Sequence, residues 1–359
     1  MSEGEDKEQE IRRRLLVLFK NHGEMVDAYV AQFGIDINMK NMHEIRTQFP
    51  GIGDTASAPV TEAIDPLQPM NLIFQFNEKA LTIPQANSKG DSPLFPRTVD
   101  CPVCKKWGVS SQDLRAKSLT IANDPFLAPV YKTTGRFQEI NYLLYCMTVC
   151  SGCFLASPDR KDFDVYNAST RQNQFSQLPP AVIRQLKDTI DQRKAFFERT
   201  GVGDALFNLP RNYAGAIVSY QLADVRAEIE ADSKVLGAYY KRGNYWTRIA
   251  LLCRQAGMDD HQALQNAAEH FKTAFTISDF PKAELEFQTL YILFNIYLYF
   301  GNQKEAMSYM NVLGKSVQEL EQNGDPRNEA LLHAKKWMNQ TRNRWDDREY
   351  PDFWKTPGL

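Results

Sequence analysis

Residues 101–153 open with Cys101-Pro-Val-Cys104 and close with Cys150-Ser-Gly-Cys153. Each Cys-x-x-Cys pair sets two sulfurs on one tight turn. Two such turns facing each other offer four thiolates to a single ion. No fold available to this chain can ignore that demand, because it dictates which distant segments must meet. No histidine lies between residues 101 and 153, so the ligands there are cysteines. A soft, all-sulfur set selects zinc, or less often iron, over magnesium or calcium. Four protein ligands leave no position for water. The predicted Zn2+ at Cys101, Cys104, Cys150 and Cys153 is therefore structural rather than catalytic. Thiol redox chemistry at the same residues, and no metal at all, are the alternatives. Cys146, four residues before Cys150, is either a substitute ligand or a buried thiol in the apolar run 142–147.

Between Cys104 and Cys150 lie 45 residues, more than the ~15–20 of a compact four-cysteine motif. Loop-closure entropy grows only logarithmically with length, so the excess is tolerable. The insert reads as folded. Lys117, Leu119, Ile121 and the run 142–145 are predicted to supply strands, with Asn123-Asp124-Pro125 and Gly135 as turns. The expected product is a small β-rich zinc-ribbon module over 98–177.

Charge argues against a nucleic-acid surface on that module. Residues 101–153 carry six basic residues (Lys105, Lys106, Arg115, Lys117, Lys132, Arg136) and three acidic ones (Asp113, Asp124, Glu139). A zinc held by four thiolates adds about -2, leaving about +1 against the roughly 6–10 phosphates of a typical contact. Lys105, Lys106 and Trp107 form the one local patch where a base could stack. The whole chain has a net charge of -2, which offers no general attraction to nucleic acid or anionic lipid.

Before the module, residues 1–49 read as an acidic start followed by an amphipathic helix. Ile11, Leu15, Leu18, Phe19, Met25, Val26, Tyr29 and Phe33 form its stripe. This helix packs on its own protein or docks on a partner, and a membrane-surface helix is a weaker alternative because the flanking acidic residues oppose attraction to anionic lipid. Residues 50–97 are a Pro-rich linker, in which Leu72, Phe74 and Phe76 predict one short strand. Gly51-Ile-Gly53-Asp-Thr-Ala56 fits a dinucleotide fingerprint only loosely, with no strand before it.

After the module the pattern turns helical. A connector helix is predicted within 178–204, opened by Pro179 and Pro180 and carrying Val182, Ile183, Leu186, Ile190 and Phe197. Its charged residues, Arg184 to Arg199, are expected in solvent. Over 205–346, Trp246, Ile249, Cys253 and Gly257 are matched 44 residues later by Leu290, Leu293, Tyr297 and Gly301. Equal offsets at four positions argue for an internal repeat with glycine ending each first helix. Ala267, Phe271, Ala274 and then Ala306, Met310, Leu313 mark the second helices. These read as tetratricopeptide-like (TPR-like) repeats, with Tyr213–Ile229 leading and Leu331–Trp345 closing the array. Asn244, Tyr245 and Arg248 are candidates for a concave peptide-binding face. Residues 347–359 form a tail.

Cys-Pro-x-Cys, a long insert ending in an aromatic run, a second Cys-x-x-Cys, Ala156 and the pair Asp162-Phe163 together resemble an uncharacterised bacterial family, domain of unknown function 2225. The resemblance spans roughly residues 98 to 320. It implies a four-cysteine ribbon before a TPR-like region, and it implies no activity. Lys105 and Phe154 stand where the family usually has glycine after each second cysteine.

The fold expected is α+β, predominantly α. No phosphate-binding loop, Gly-x-Ser-x-Gly or His-Glu-x-x-His is present. The function expected is therefore a non-enzymatic, cytoplasmic, zinc-stabilised adaptor, using its repeats and the N-terminal helix to bind a protein or peptide. The alternatives are a nucleic-acid-associated regulator binding through the ribbon, or a thiol- or metal-responsive sensor. No run approaches the ~20 apolar residues of a membrane span, and the acidic start does not resemble a secretory signal.

Overall fold

The computed structural model describes residues 70–84, 90–167, 172–322, 329–349 and 354. All belong to one unit, Pro66–Leu359. The predicted N-terminal helix lies outside them. The architecture is α+β and predominantly α, as expected.

The described helices begin with the single turn α1 (Glu78–Leu81), followed by α2 (Pro180–Asp188), α3 (Ile190–Thr200) and α4 (Tyr213–Asp232). Then come α5 (Ala238–Gln255), α6 (His261–Thr276), α7 (Ala283–Tyr299), α8 (Gln303–Gln322) and α9 (Glu329–Asp346). Between α1 and α2 the chain makes four antiparallel hairpins. These are β1 (Leu94–Val99) with β2 (Val109–Leu114), β3 (Leu119–Asn123) with β4 (Pro129–Thr133), β5 (Thr148–Val149) with β6 (Ala156–Ser157), and β7 (Val165–Asn167) with β8 (Gln172–Gln174).

The helix α4 is the spine rather than a leading cap. Almost all of its side chains are buried, and α1, α2, α3, α5 and β6 pack around it. A helix enclosed on every side is usually apolar throughout, yet α4 buries Asp224, Arg226, Glu228 and Glu230. Three of the four are hydrogen-bonded to a side chain of opposite charge. Arg242 Nε donates to Asp224 Oδ1 at 2.8 Å, and Trp246 Nε1 to Oδ2 at 2.9 Å. Arg226 Nη1 donates to Asp162 Oδ2 at 2.7 Å and to Glu230 Oε1 at 2.5 Å.

Glu228 is the exception. Arg242 Nη1 lies 3.2 Å from its Oε1, but off the line a hydrogen bond needs. Burial pushes this carboxyl up to about 8, and Arg242 opposes the rise only in part. The folded protein thus holds a proton that the unfolded chain releases near pH ~4.3. Its contribution to stability is complete below that value and is lost as pH rises through about 8. Glu228→Gln should therefore melt close to wild type at pH 5 and about 5 °C or more above it at pH 8.5. Thermal unfolding followed by circular dichroism at both pH values checks this; an equal gap at both would contradict it.

The positions with equal offsets fall on two pairs of helices in contact, α5–α6 and α7–α8. Trp246, Ile249, Cys253, Leu290 and Leu293 are all buried. Gly257 follows α5 at φ +68°, and Gly301 follows α7 at φ +74°. A left-handed residue satisfies the last carbonyls of a helix, and glycine takes it without a Cβ penalty. In both cases the glycine N–H bonds back into the last turn, to Arg254 O and Leu298 O. The helix α9 closes this end by packing on α7 and α8, with Leu331, Ala334, Trp337 and Thr341 buried.

Three expected elements differ. Leu72–Phe76 forms no strand. Its neighbours are side chains rather than another strand: Gln221 Nε2 takes the Leu72 carbonyl at 2.8 Å and Arg199 Nη2 takes Met70 O at 3.0 Å. The run 142–145 forms a 3-10 turn, Tyr142–Leu144, with the Asn141 side chain accepting from Leu143 N. The connector is two helices, broken at Thr189, where φ -105° and ψ 16° leave the helical region.

The insert does not hang free. At the β3–β4 turn, buried Asp124 accepts from Phe126 N and Ala128 N at 2.9 and 2.7 Å. Its other oxygen accepts from Arg254 of α5 at 2.5 Å, and that guanidinium lies 5.0 Å from the Phe126 ring centroid. The same arginine therefore ties the hairpin tip to the helices.

Candidate metal centre

Each cysteine pair sits on the bend after a short strand. Cys101 follows β1 and Cys150 follows β5. The two bends have matching backbone hydrogen bonds. Cys101 N donates to Lys106 O at 2.9 Å, and Lys105 N donates back to Cys101 O at 3.0 Å. In the second bend Cys150 N donates to Leu155 O at 2.9 Å, and Phe154 N to Cys150 O at 2.8 Å. Closing such a bend requires a left-handed residue after the second cysteine. Lys105 and Phe154 both adopt φ +60°. These are the positions where the sequence resemblance led us to expect glycine. The bend keeps its shape, and two ordinary side chains carry the cost of the conformation.

The bends face each other and bring all four sulfurs within 4.8 Å of one another. Cys101 Sγ lies 3.4 Å from Cys153 Sγ, and Cys104 Sγ 3.5 Å from Cys150 Sγ. A disulfide needs ~2.05 Å, and all four thiols are free. Sulfurs held tetrahedrally at ~2.3 Å from one ion stand about 3.8 Å apart, close to the observed spacing. The four cysteines are thus near enough to hold a single metal ion. Cys101, Cys150 and Cys153 are buried and Cys104 is half-buried. Gly152 N points at Cys150 Sγ, 3.4 Å away. A Cβ on Gly152 would stand 3.0 Å from Cys104 Sγ, so the sulfur would have to give way by a few tenths of an ångström.

Four thiols this close cannot all ionise unaided. Hydrogen bonds from Cys101 and Cys153 hold Cys150 well below the usual thiol range. The Cys150 thiolate in turn pushes Cys101 up, and Cys101 and Cys150 push Cys153 up. A divalent cation is the group that would let all four carry charge together.

A family model described as an uncharacterised protein conserved in bacteria, domain of unknown function 2225, matches residues 94–347. The chain belongs to this family. The match begins at the first residue of β1 and ends just past α9, so it takes in both cysteine bends and the helices. No curated protein and no solved structure matches the chain.

One residue within the family region was misjudged from sequence. Arg193 was expected in solvent with the other charges of the connector, but it is fully buried. Its Nε and Nη2 donate to Cys153 O at 3.1 and 2.9 Å, and Nη2 also reaches Leu186 O. Burial pulls its pKa down, and the Cys153, Cys101 and Cys150 thiols oppose that fall. The signal was available: Arg193 lies seven residues after Leu186 and three before Phe196, on the apolar stripe itself.

Cys146 stands apart from the four. Its Sγ lies 2.9 Å from Tyr220 Oη, and burial pushes the thiol up. Asp259, Asp260 and His261 form a second cluster that the sequence did not suggest. Asp260 there already meets Arg254 at 3.1 Å and Tyr299 Oη at 3.1 Å. No helix of the described residues is long and apolar enough to cross a membrane.

Proposed function

We propose that Cys101, Cys104, Cys150 and Cys153 hold one structural zinc, and that the protein is a non-enzymatic adaptor whose TPR-like helix pairs present a surface to a protein partner. The observation that carries this is the pair of matching cysteine bends joined to the helices at two places. Arg193 grips the second bend from α3, and Arg254 of α5 grips the insert. A closed, four-sulfur site offers no position for substrate or water, so the ion would act as a clasp. All-sulfur ligation favours zinc over the hard cations, and reduced thiols suit a cytoplasmic setting. The buried Arg193 would offset part of the net charge of about -2 on a zinc with four thiolates.

One feature favours a nucleic-acid-associated role as the second reading. Trp107, Tyr166 and Phe175 are exposed at 83%, 61% and 77%. They line a cleft of about 140 Å³ beside Cys101 and Lys105, and exposed rings can stack on bases.

The test is capture of the tagged full chain from native lysate with cross-linking, with and without nuclease, at low and high salt. The adaptor reading expects a stoichiometric protein that survives nuclease and high salt. Nucleic acid lost at high salt, with no protein retained, would overturn it in favour of the cleft.

A further inference from the structure

One concavity is lined by none of the four cysteines. It measures about 380 Å³ and lies between one face of α5 and the segment 158–162 that follows β6. Lys241, Asn244, Tyr245 and Arg248 of α5 line it, facing Asp159 and Asp162. Most of its charges are taken. Asp162 is paired with Arg226 at 2.7 Å, and Lys241 with Glu230 at 2.8 Å. Asp159 Oδ1 accepts from Lys161 N at the exposed rim.

Arg248 is different. Among the described residues it has neither a carboxylate partner nor a side-chain hydrogen bond. The groups that bear on it most are the hydroxyls of Tyr220, Tyr131 and Tyr245 and the Cys146 thiol. Burial pushes all four up, so each is neutral at physiological pH and none supplies a counter-charge. Arg248 itself is half-buried; Arg211, also near Cys146, is buried, and its Nη1 has no partner. Withdrawing a guanidinium even partly from water without a counter-ion carries a cost. Here the missing partner has a place to stand, because Arg248 lines an open cavity. A guanidinium presents a planar fork that matches a carboxylate or phosphate. The cavity falls within the ~300–1,000 Å³ of small-molecule sites, so there is room for an organic body beyond the anionic group.

We propose that this pocket binds a small organic oxyanion, with Arg248 gripping the anionic group and Asn244 and Tyr245 flanking it. The site does not depend on the adaptor reading and stands or falls separately from it.

The test uses the full-length, metal-loaded protein. Glycerol phosphate and succinate are titrated by calorimetry at constant ionic strength, with chloride as the control. Saturable binding of at least one is expected, and which one binds identifies the anionic group as phosphate or carboxylate. Arg248→Gln should weaken that binding about tenfold or more while metal content stays unchanged. Asn244→Asp, which puts a negative charge on the wall and keeps Arg248, should weaken it similarly. No saturable binding to the wild type would overturn the proposal. So would binding that is equal in wild type and either variant.

Discussion

Cys150→Ser is expected to abolish metal binding and lower the melting temperature by about 10 °C or more. Cys150 is fully buried at the end of β5, and its sulfur lies 3.5 Å from that of Cys104 across the centre. A serine oxygen is a hard, poorly ionised donor and cannot replace a thiolate in a soft set. Structural zinc contributes ~10–16 kcal/mol of folding energy in small zinc peptides. Less is at stake here, because the module is also held through Arg193, Arg254 and the Arg226–Asp162 pair. The β-rich half is nonetheless built from small sheets. Among the described residues its strands are two to six residues long, and every sheet has two strands. Two-stranded sheets are marginal alone. Cys146→Ser is the control and should keep its metal, since that thiol faces Tyr220. Elemental analysis with differential scanning calorimetry decides the matter. A Cys150→Ser protein that retains both metal and wild-type melting would contradict the account.

Arg193→Leu should cost about 3–5 kcal/mol and speed metal loss to a competing chelator. The leucine fills much of the volume, so the loss isolates the charge and its hydrogen bonds. Three acceptors on three segments lose their donor: Cys153 O, Leu186 O and Thr189 Oγ1. Hydrogen bonds from a charged donor contribute about 1.5–3 kcal/mol each, and carbonyls left unsatisfied in the interior add to the loss. Arg193→Lys should recover only part of it, because an ammonium cannot fork between Cys153 O and Leu186 O. Denaturant unfolding gives the energy, and a zinc-sensitive dye under chelator competition gives the release rate. Metal release at the wild-type rate in Arg193→Leu would show that the arginine braces the helices and leaves the metal centre alone.

The parts of this molecule that could be read from sequence are those governed by local rules. Two Cys-x-x-Cys pairs locate the centre because ligand spacing is a covalent constraint. Gly257 and Gly301 locate two helix ends because few residues tolerate φ near +70°. Other features depend on what surrounds a segment. Leu72–Phe76 has strand-like alternation, but the Leu72 carbonyl is taken by Gln221, more than a hundred residues away. The segment Tyr213–Ile229 looks like an ordinary first helix. Its role as the spine follows from Arg242, Asp162 and Trp246 arriving to satisfy its charges. Arg193 was misjudged for a related reason: an arginine among charged neighbours looks solvated until the carbonyls it serves are in place.

The most direct measurement is elemental analysis of the native, full-length protein combined with X-ray absorption at the bound metal. The account predicts one zinc per chain, ringed by four sulfurs at about 2.3 Å with no nitrogen or oxygen neighbour. A metal-free native protein, a disulfide across the bends, or a mixed sulfur and oxygen shell would contradict it.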